Sequence, residues 1–115
     1  MQIKKEISFD DFLAVDMRVG KIVAAEVFTE AKKPAYKLQI DFGSEIGIKR
    51  SSAQLTVMYQ VEELIGKQII AVVNFPPRQI ATFFSEVLVL GVVRHDGAVV
   101  LLEPQQEVEI GSTIS

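Results

Sequence analysis

The segment Ile69–Gly91 constrains the fold more than any other part of this chain. Two apolar runs, Ile69–Phe75 and Val87–Val93, have the composition of buried strands. Between them Pro76-Pro77, which lack backbone N–H donors and fix φ, should end the first strand and stiffen the chain that follows. The connection has the pattern of neither a tight turn nor a helix. Because it also carries aromatic rings, we expect a neighbouring subunit, a peptide or a stacked base to cover them.

The composition is typical of one globular domain spanning residues 1–115, with 49% hydrophobic and 23% charged residues. No apolar run approaches the roughly 18–20 residues that a membrane-spanning helix needs. The N-terminus has two lysines but no apolar block after them, so neither a signal peptide nor membrane insertion is expected. The absence of cysteine excludes disulfides, thiol catalysis and thiolate metal sites. Together these features predict a cytoplasmic protein.

Strand patterns outnumber helix patterns. The predicted strands are Met17–Phe28, Tyr36–Phe42, Glu45–Arg50, Lys67–Asn74, Glu86–Val93 and Ala98–Leu102. Gly20 is placed where a bulge or bend would relieve a tightly coiled sheet. Asp96-Gly97 predicts a hairpin between the last two strands.

Two short helices complete the pattern. Ser8, with Asp11 three residues later, predicts the start of an N-terminal helix. Residues 52–65 fit one or two helical turns, which Gly66 would close. Five or so strands with a helical insertion between the third and fourth predict an all-β fold. The expected architecture is a five-stranded Greek-key barrel of the oligonucleotide/oligosaccharide-binding (OB) type.

Few residues suggest catalysis. His95 is the single histidine and lies beside Asp96-Gly97 in a predicted turn. Ser51-Ser52 follow two basic residues, but no general base is evident nearby. The carboxylates are scattered, so no metal site is predicted. We interpret the chain as a binding protein without a cofactor.

The charges are distributed unevenly. The net charge of −3 argues against strong nucleic-acid binding, and no DNA partner is expected. Residues 31–50 nevertheless carry five basic and two acidic side chains, so one face could be basic. Lys32 follows the first strand, in a connection where OB barrels commonly carry part of their ligand surface. Lys37 leaves the polar face of the second strand, and Arg50 and Arg78 could extend the same face.

Apolar side chains offer further candidates. One ring of Phe83-Phe84 could belong to the core and the other to an oligomer interface, or either could stack on a base. Phe9, Phe12 and Leu13 form the apolar side of the N-terminal helix, which stays exposed unless it docks.

Several blocks resemble the tRNA-binding domain family, the OB domains appended to some methionyl- and phenylalanyl-tRNA synthetases. They are Val15–Ile22, Ala35–Leu38, Gly66–Ile69, Asn74 and Ser85. The CsaA branch of that family is more similar still. Its resemblance is carried by Ile40–Gly43, Ile46–Lys49, Ser51–Gln54, Val72–Arg78 and Ser85–Gly91. The match extends from about Phe9 to the C-terminus.

The resemblance implies a dimeric OB-fold protein similar to a bacterial export-related chaperone that binds unfolded or precursor polypeptides. In such dimers the N-terminal helix and the C-terminal segment help to build the two-fold interface, which would bury Phe9, Phe12 and Leu13. Relatives bind tRNA by its shape. Their nucleic-acid face would map onto Lys32, Lys37, Asn74, Arg78 and Ser85.

The run Gln79–Phe84 departs from the family pattern. The family commonly has glycine near Thr82 and polar or basic residues near Gln79 and Phe84. Where tRNA-binding relatives have Gly-Met, this chain has Val87-Leu88. Fewer charges and an extra ring favour an apolar peptide over a polyanion. We therefore predict polypeptide binding through Phe75, Phe83 and Phe84, and as the alternative tRNA binding through Lys32, Lys37, Arg50, Asn74, Arg78 and Ser85.

Overall fold

A computed structural model describes residues 2–115. It contains two short helices, α1 (Phe9–Leu13) and α2 (Val61–Leu64). Its strands are β1 (Met17–Val27), β2 (Tyr36–Asp41), β3 (Ile48–Ala53), β4 (Gln68–Val72), β5 (Arg78–Ile80), β6 (Phe83–Ser85), β7 (Leu88–Val89), β8 (Gly91–Val93) and β9 (Val99–Leu101). No helix among the described residues is long and apolar enough to cross a membrane.

The main sheet has five antiparallel strands in the order β3-β2-β1-β4-β7. Its two edges meet where the chain enters β7. There the Glu86 N–H donates to the Arg50 carbonyl (2.8 Å), and the buried Ser51 hydroxyl donates to the Val87 carbonyl (2.9 Å). The sheet thus curls into a nearly closed barrel, with α2 inserted between β3 and β4. The predicted all-β OB fold is confirmed.

The core follows the alternation of β2. Tyr36, Leu38, Ile40 and Phe42 are all buried, as the sequence pattern predicts. They pack inside the barrel against residues from β1, α2 and β4, among them Ile22, Leu64, Ile69 and Ala71.

Gly20 has a different role from the predicted one. It pairs regularly with Ile69 on β4, and the register shift of β1 against β2 falls further along, between Ile22 and Ala24. A Cβ atom at position 20 would lie 2.5 Å from Ile40 Cγ2 and 2.6 Å from the Phe42 ring. Glycine is therefore required because core side chains cross its Cα closely.

The predicted strand Glu86–Val93 is interrupted at Leu90. Its first part, β7, pairs with β4, whereas β8 forms a separate hairpin with β9. The Leu90 N–H still donates to the Ile70 carbonyl on β4, while its own carbonyl accepts from the Leu102 N–H after β9. Leu90 is thus the position at which the chain changes partner. The hairpin itself turns at Gly97 (φ 84°), as predicted.

The N-terminal helix begins as predicted. The Ser8 hydroxyl accepts from the Asp11 N–H (3.2 Å), and the Asp11 carboxylate accepts from the Ser8 N–H (3.1 Å), which completes a capping box. No residue of α1 is buried. The helix is therefore held by its cap and by its connection to β1 rather than by core packing.

Candidate ligand-binding site

The connection after β4 is a β-hairpin, not the irregular segment that the sequence suggested. Strands β5 and β6 pair across a two-residue turn, Ala81-Thr82. Ala81 has φ 54°, and a positive φ at the first central residue alone is typical of a type II′ turn. Glycine normally occupies that position. The sequence therefore lacked the signal by which such a turn is recognised.

The hairpin presents its two phenylalanines on opposite faces. Residues directly opposite in an antiparallel pair share a face, and successive residues alternate. Ile80 is opposite Phe83, and Gln79 is opposite Phe84. Phe83 faces the barrel, where its ring lies edge-on to Phe28 with centroids 5.3 Å apart. Phe84 is on the outer face and 43% exposed.

On the barrel side of Phe83 lies a groove of about 400 Å³, which we call the charged groove. Its charged and aromatic lining consists of Glu26, Lys37, Arg50 and Phe83. The Lys37 ammonium is 5.8 Å from the centroid of the Phe83 ring, and Arg50 Cζ is 5.5 Å from the same centroid. Both cations thus contact one aromatic ring. The structure brings together three of the predicted ligand-binding residues here.

Carboxylates accompany both cations. Lys37 Nζ lies 3.6 Å from Glu26 and 3.8 Å from Glu30. Arg50 Nε lies 3.6 Å from Glu86, whose carboxylate also accepts from the Arg50 N–H at 2.9 Å. Since three carboxylates surround two cations, a phosphate at this groove would compete with ion pairs that already exist.

The β1–β2 loop adds to this charge pattern. The Thr29 hydroxyl donates to the Glu30 carboxylate, and this hydrogen bond is the main reason that the pKa of Glu30 lies below its usual range. The charge of Lys37 lowers that pKa further. Lys32 is exposed in the same loop and has no carboxylate within ion-pair distance in the described chain.

A second groove, of about 360 Å³, lies beside the hairpin and is mainly apolar. We call it the apolar groove; its lining is Ser52, Phe75, Pro76, Arg78, Ile80, Ser85, Glu86, Val87 and Leu88. The side chains of Phe75 and Leu88 are about half exposed, at 52% and 49%. The Ser85 hydroxyl accepts from the Ser52 N–H (3.1 Å), which anchors β6 to β3. Phe75, Arg78 and Ser85 are thus brought to one groove.

Asn74 lies apart from both grooves. Its side-chain oxygen accepts from the Asp16 N–H (3.0 Å), and its side-chain amide donates to the Ala14 carbonyl (2.8 Å). The side chain therefore fastens the α1–β1 connection to the end of β4. Its contact with tRNA stays a prediction.

The apolar side of α1 is uncovered in the described chain. Phe9 is 72% and Leu13 59% exposed, and Phe9 stacks on Phe12 with centroids 6.1 Å apart. Phe12 and Leu13 line a shallow groove whose opposite side is formed by Thr113 and Ile114. The C-terminal residues Thr113 and Ile114 thus lie close to the end of α1.

Residues 17–113 match the family described as "Putative tRNA binding domain". The chain belongs to the tRNA-binding domain family. Crystal structures of two CsaA chaperones place it in the CsaA branch. The protein from Bacillus anthracis has a TM-score of 0.92 and 55% identity, and that from Picrophilus torridus has 0.90 and 56%. Each match covers 96% of this chain and 100% of the other.

Similar curated proteins are much longer. The methionine–tRNA ligase of Pelodictyon phaeoclathratiforme is 39% identical over 107 residues, which is 93% of this chain but 15% of that enzyme. The ligase of Chlorobium limicola is also 39% identical, over 104 residues and 14% of its length. The family is described by a binding domain and not by a catalytic activity. Among residues 2–115, no group of three or more His, Asp or Glu could hold a metal ion.

Sequence reasoning missed the acidic partners of the site. Glu26 is directly opposite Lys37 in the β1–β2 pairing, a relation that depends on the register shift earlier in β1. Glu86 could have been recognised as a candidate, because it directly follows Ser85 in one of the blocks that resemble the CsaA branch. Phe28, at the end of β1, was also overlooked, although its ring packs on Phe83.

Proposed function

We propose that this chain is a chaperone-like protein that binds extended, apolar segments of unfolded or precursor polypeptides. The observation that carries the proposal is the apolar groove with its half-exposed Phe75 and Leu88. Burying a fully exposed side chain of this size contributes about 1.5–3 kcal/mol, so covering the exposed half of each contributes about half as much. Two such anchors suit a ligand that supplies apolar side chains, as an unfolded polypeptide does. The likeness to the CsaA chaperones supports the same function.

The charged groove also favours a polypeptide over a polyanion such as tRNA as the ligand. A polyanion gains affinity by exchanging counterions for protein cations. Lys37 and Arg50 already have carboxylate partners, so their contribution to such an exchange is reduced. Phe83 packs against Phe28 and both cations, which leaves Phe75 and Phe84 as the more accessible aromatic rings for a peptide.

We further propose a homodimer, in which Phe9, Phe12 and Leu13 of α1 form part of the interface. A helix without a single buried residue gains little from folding on its own chain. Burial against a second copy would give its apolar side the packing that it lacks.

The alternative function is tRNA binding. The family description and the methionine–tRNA ligase relatives favour it. So do Arg78 and Lys32, which have no ion-pair partner in the part of the chain that the structure describes. These cations could bind phosphates, with Lys37, Arg50, Asn74 and Ser85 completing the predicted RNA face.

Two binding measurements at about 50 and 200 mM salt would separate the two functions. One uses bulk tRNA, and the other uses a chemically denatured preprotein that contains no cysteine. We expect the polypeptide to bind with little salt dependence, because apolar contacts dominate. We expect tRNA to bind weakly, with a slope of about −2 in log affinity against log salt, since two of the four cations on the predicted RNA face have no ion-pair partner in the described chain. Tight, steeply salt-dependent tRNA binding without polypeptide binding would reverse the assignment.

Substitutions in the protein test whether the polypeptide binds at the apolar groove. Leu88→Asp places a charge in the apolar groove and should lower polypeptide affinity at least about tenfold. Val93→Asp is the matched control, because Val93 is also an exposed apolar strand residue (71%) and does not line this groove. Equal losses in the two variants would contradict the placement of the site.

A further inference from the structure

Strand β5 has an edge that no other strand occupies. The β5–β6 hairpin is a separate two-stranded sheet in the described chain, and only its β6 side is fastened to the barrel. Pro76-Pro77 precede β5 and donate no backbone hydrogen bond, which limits the edge to a few residues. A short, free strand edge can accept an extended segment of another polypeptide.

Gln79 is the residue whose backbone faces this edge. In a hairpin with a two-residue type II′ turn, the pair flanking the turn is hydrogen-bonded, because the turn itself joins Ile80 C=O to Phe83 N–H. Pairs then alternate, so Gln79 opposite Phe84 is a non-hydrogen-bonded pair. Its N–H and C=O therefore point away from β6. They form one donor–acceptor set for an incoming strand.

The apolar groove lies on the barrel side of the same strand. Arg78 and Ile80, which flank Gln79, both line it, together with Phe75 and Leu88. A strand added along β5 would direct every second side chain into this groove. Arg78 has no carboxylate within ion-pair distance among residues 2–115, so a carboxylate on the ligand would complement its charge.

We propose, building on the proposed function, that the bound polypeptide adds to the β5 edge as a strand through Gln79. Its alternate apolar side chains occupy the apolar groove, and a carboxylate of the peptide pairs with Arg78. The backbone contacts are independent of sequence, whereas the groove and Arg78 select alternating apolar segments with an acidic residue. This mode explains how one small site serves extended chains of different sequence.

The test uses short fluorescent peptides in which valine and threonine alternate around one glutamate, and the unmodified protein. Two versions carry the same number of N-methyl groups on every second backbone amide. They differ only in phase, that is, in whether the odd-numbered or the even-numbered amides are methylated. In one phase a methyl group blocks the amide that would donate to the Gln79 carbonyl, and affinity should fall about tenfold, as expected for loss of one hydrogen bond. In the other phase the amides face solvent, and affinity should be nearly unchanged.

Protein variants test the same geometry from the other side. Gln79→Pro removes an N–H that points away from β6, a position where a strand edge tolerates proline, and should weaken peptide binding. Gln79→Ala keeps the backbone donor and removes only the side chain, which donates to the Ala81 carbonyl, so it should weaken binding less than Gln79→Pro does. Arg78→Gln should weaken the glutamate peptide but not its glutamine analogue. If Gln79→Pro does not fold, the N-methylated peptides still decide the matter on the parent protein.

The outcomes separate this inference from the function on which it rests. Equal affinities for the two methylation phases, with the unmethylated peptide bound, would overturn the added strand but leave polypeptide binding intact. No binding of either the peptide or a denatured preprotein would overturn both. If Arg78→Gln weakens tRNA binding and not the glutamate peptide, the pairing with a carboxylate is wrong and Arg78 binds phosphate.

Discussion

Ala81 occupies a backbone conformation that usually requires glycine. Its φ of 54° is the sole positive value at a non-glycine residue in the described chain. An L-residue with positive φ costs roughly 1–2 kcal/mol. Replacing it with glycine removes this cost, but part of the gain is lost because the unfolded chain is more flexible at glycine. We expect Ala81→Gly to raise the free energy of unfolding by up to about 1 kcal/mol, or Tm by about 4 °C, measured by thermal unfolding.

Gly47→Ala is the matched reverse change. Gly47 also has a positive φ (85°), and a Cβ atom there would meet nothing within 4 Å. Its substitution should therefore lower stability through the backbone alone, by about 1 kcal/mol. A loss of stability in both variants would show that the turn at Ala81 is not strained.

Individual side chains differ in how far the sequence reveals their role. The burial of Tyr36, Leu38 and Ile40 follows from strict alternation within one strand, and it was predicted. The role of Asn74 was not, because its amide bonds to backbone atoms 58 and 60 residues away. Local pattern identifies which face is buried, whereas a contact between distant segments depends on the completed barrel.

Strand pairing decides the electrostatics of the charged groove. Glu26 lies opposite Lys37, and Glu30 approaches the same ammonium from the loop that follows β1. If tRNA binds this face, the double change Glu26→Gln with Glu30→Gln frees Lys37 for a phosphate. We expect tRNA affinity to rise several-fold and the salt slope to steepen by about one unit, measured by filter binding over a salt series.

The control has the same change in net charge at a different place. Glu103 and Glu107 are exposed and lie after β9, outside the charged groove. Glu103→Gln with Glu107→Gln should leave the salt slope unchanged. If both pairs raise tRNA affinity equally, the effect is that of overall charge, and the charged groove is not the RNA site. Polypeptide affinity should be indifferent to either pair.

The elements of the barrel were easier to predict than the hairpin attached to it. Apolar periodicity, Gly66 and Asp96-Gly97 marked the main strands and turns, and the OB architecture follows from their order. The β5–β6 hairpin has strands of three residues and no glycine in its turn. Neither periodicity nor turn chemistry could indicate it, yet this hairpin borders both grooves.

Two centres of exposed apolar surface are relevant to ligand binding and dimer formation. One surrounds the apolar groove, and the other is α1 with the extended residues before it, where Ile3 and Ile7 are 99% and 66% exposed. A surface helix without buried residues beside an exposed apolar segment is typical of an interface. Because the two centres are distinct, dimer formation and ligand binding should respond to different substitutions.

Phe9→Asp with Leu13→Asp tests the interface. Both side chains are mostly exposed within one chain, so the fold should persist, whereas a dimer would have to bury four unpaired carboxylates. The dimer dissociation constant should rise at least about a hundredfold, and sedimentation velocity at micromolar concentration should show the shift to monomer. Val93→Asp should leave the dimer intact, since that equally exposed residue lies on β8. A parent protein that sediments as a monomer, or a dimer that the double change leaves intact, would rule out this interface. Retained peptide affinity in the monomer would show that the apolar groove of a single chain is sufficient for binding.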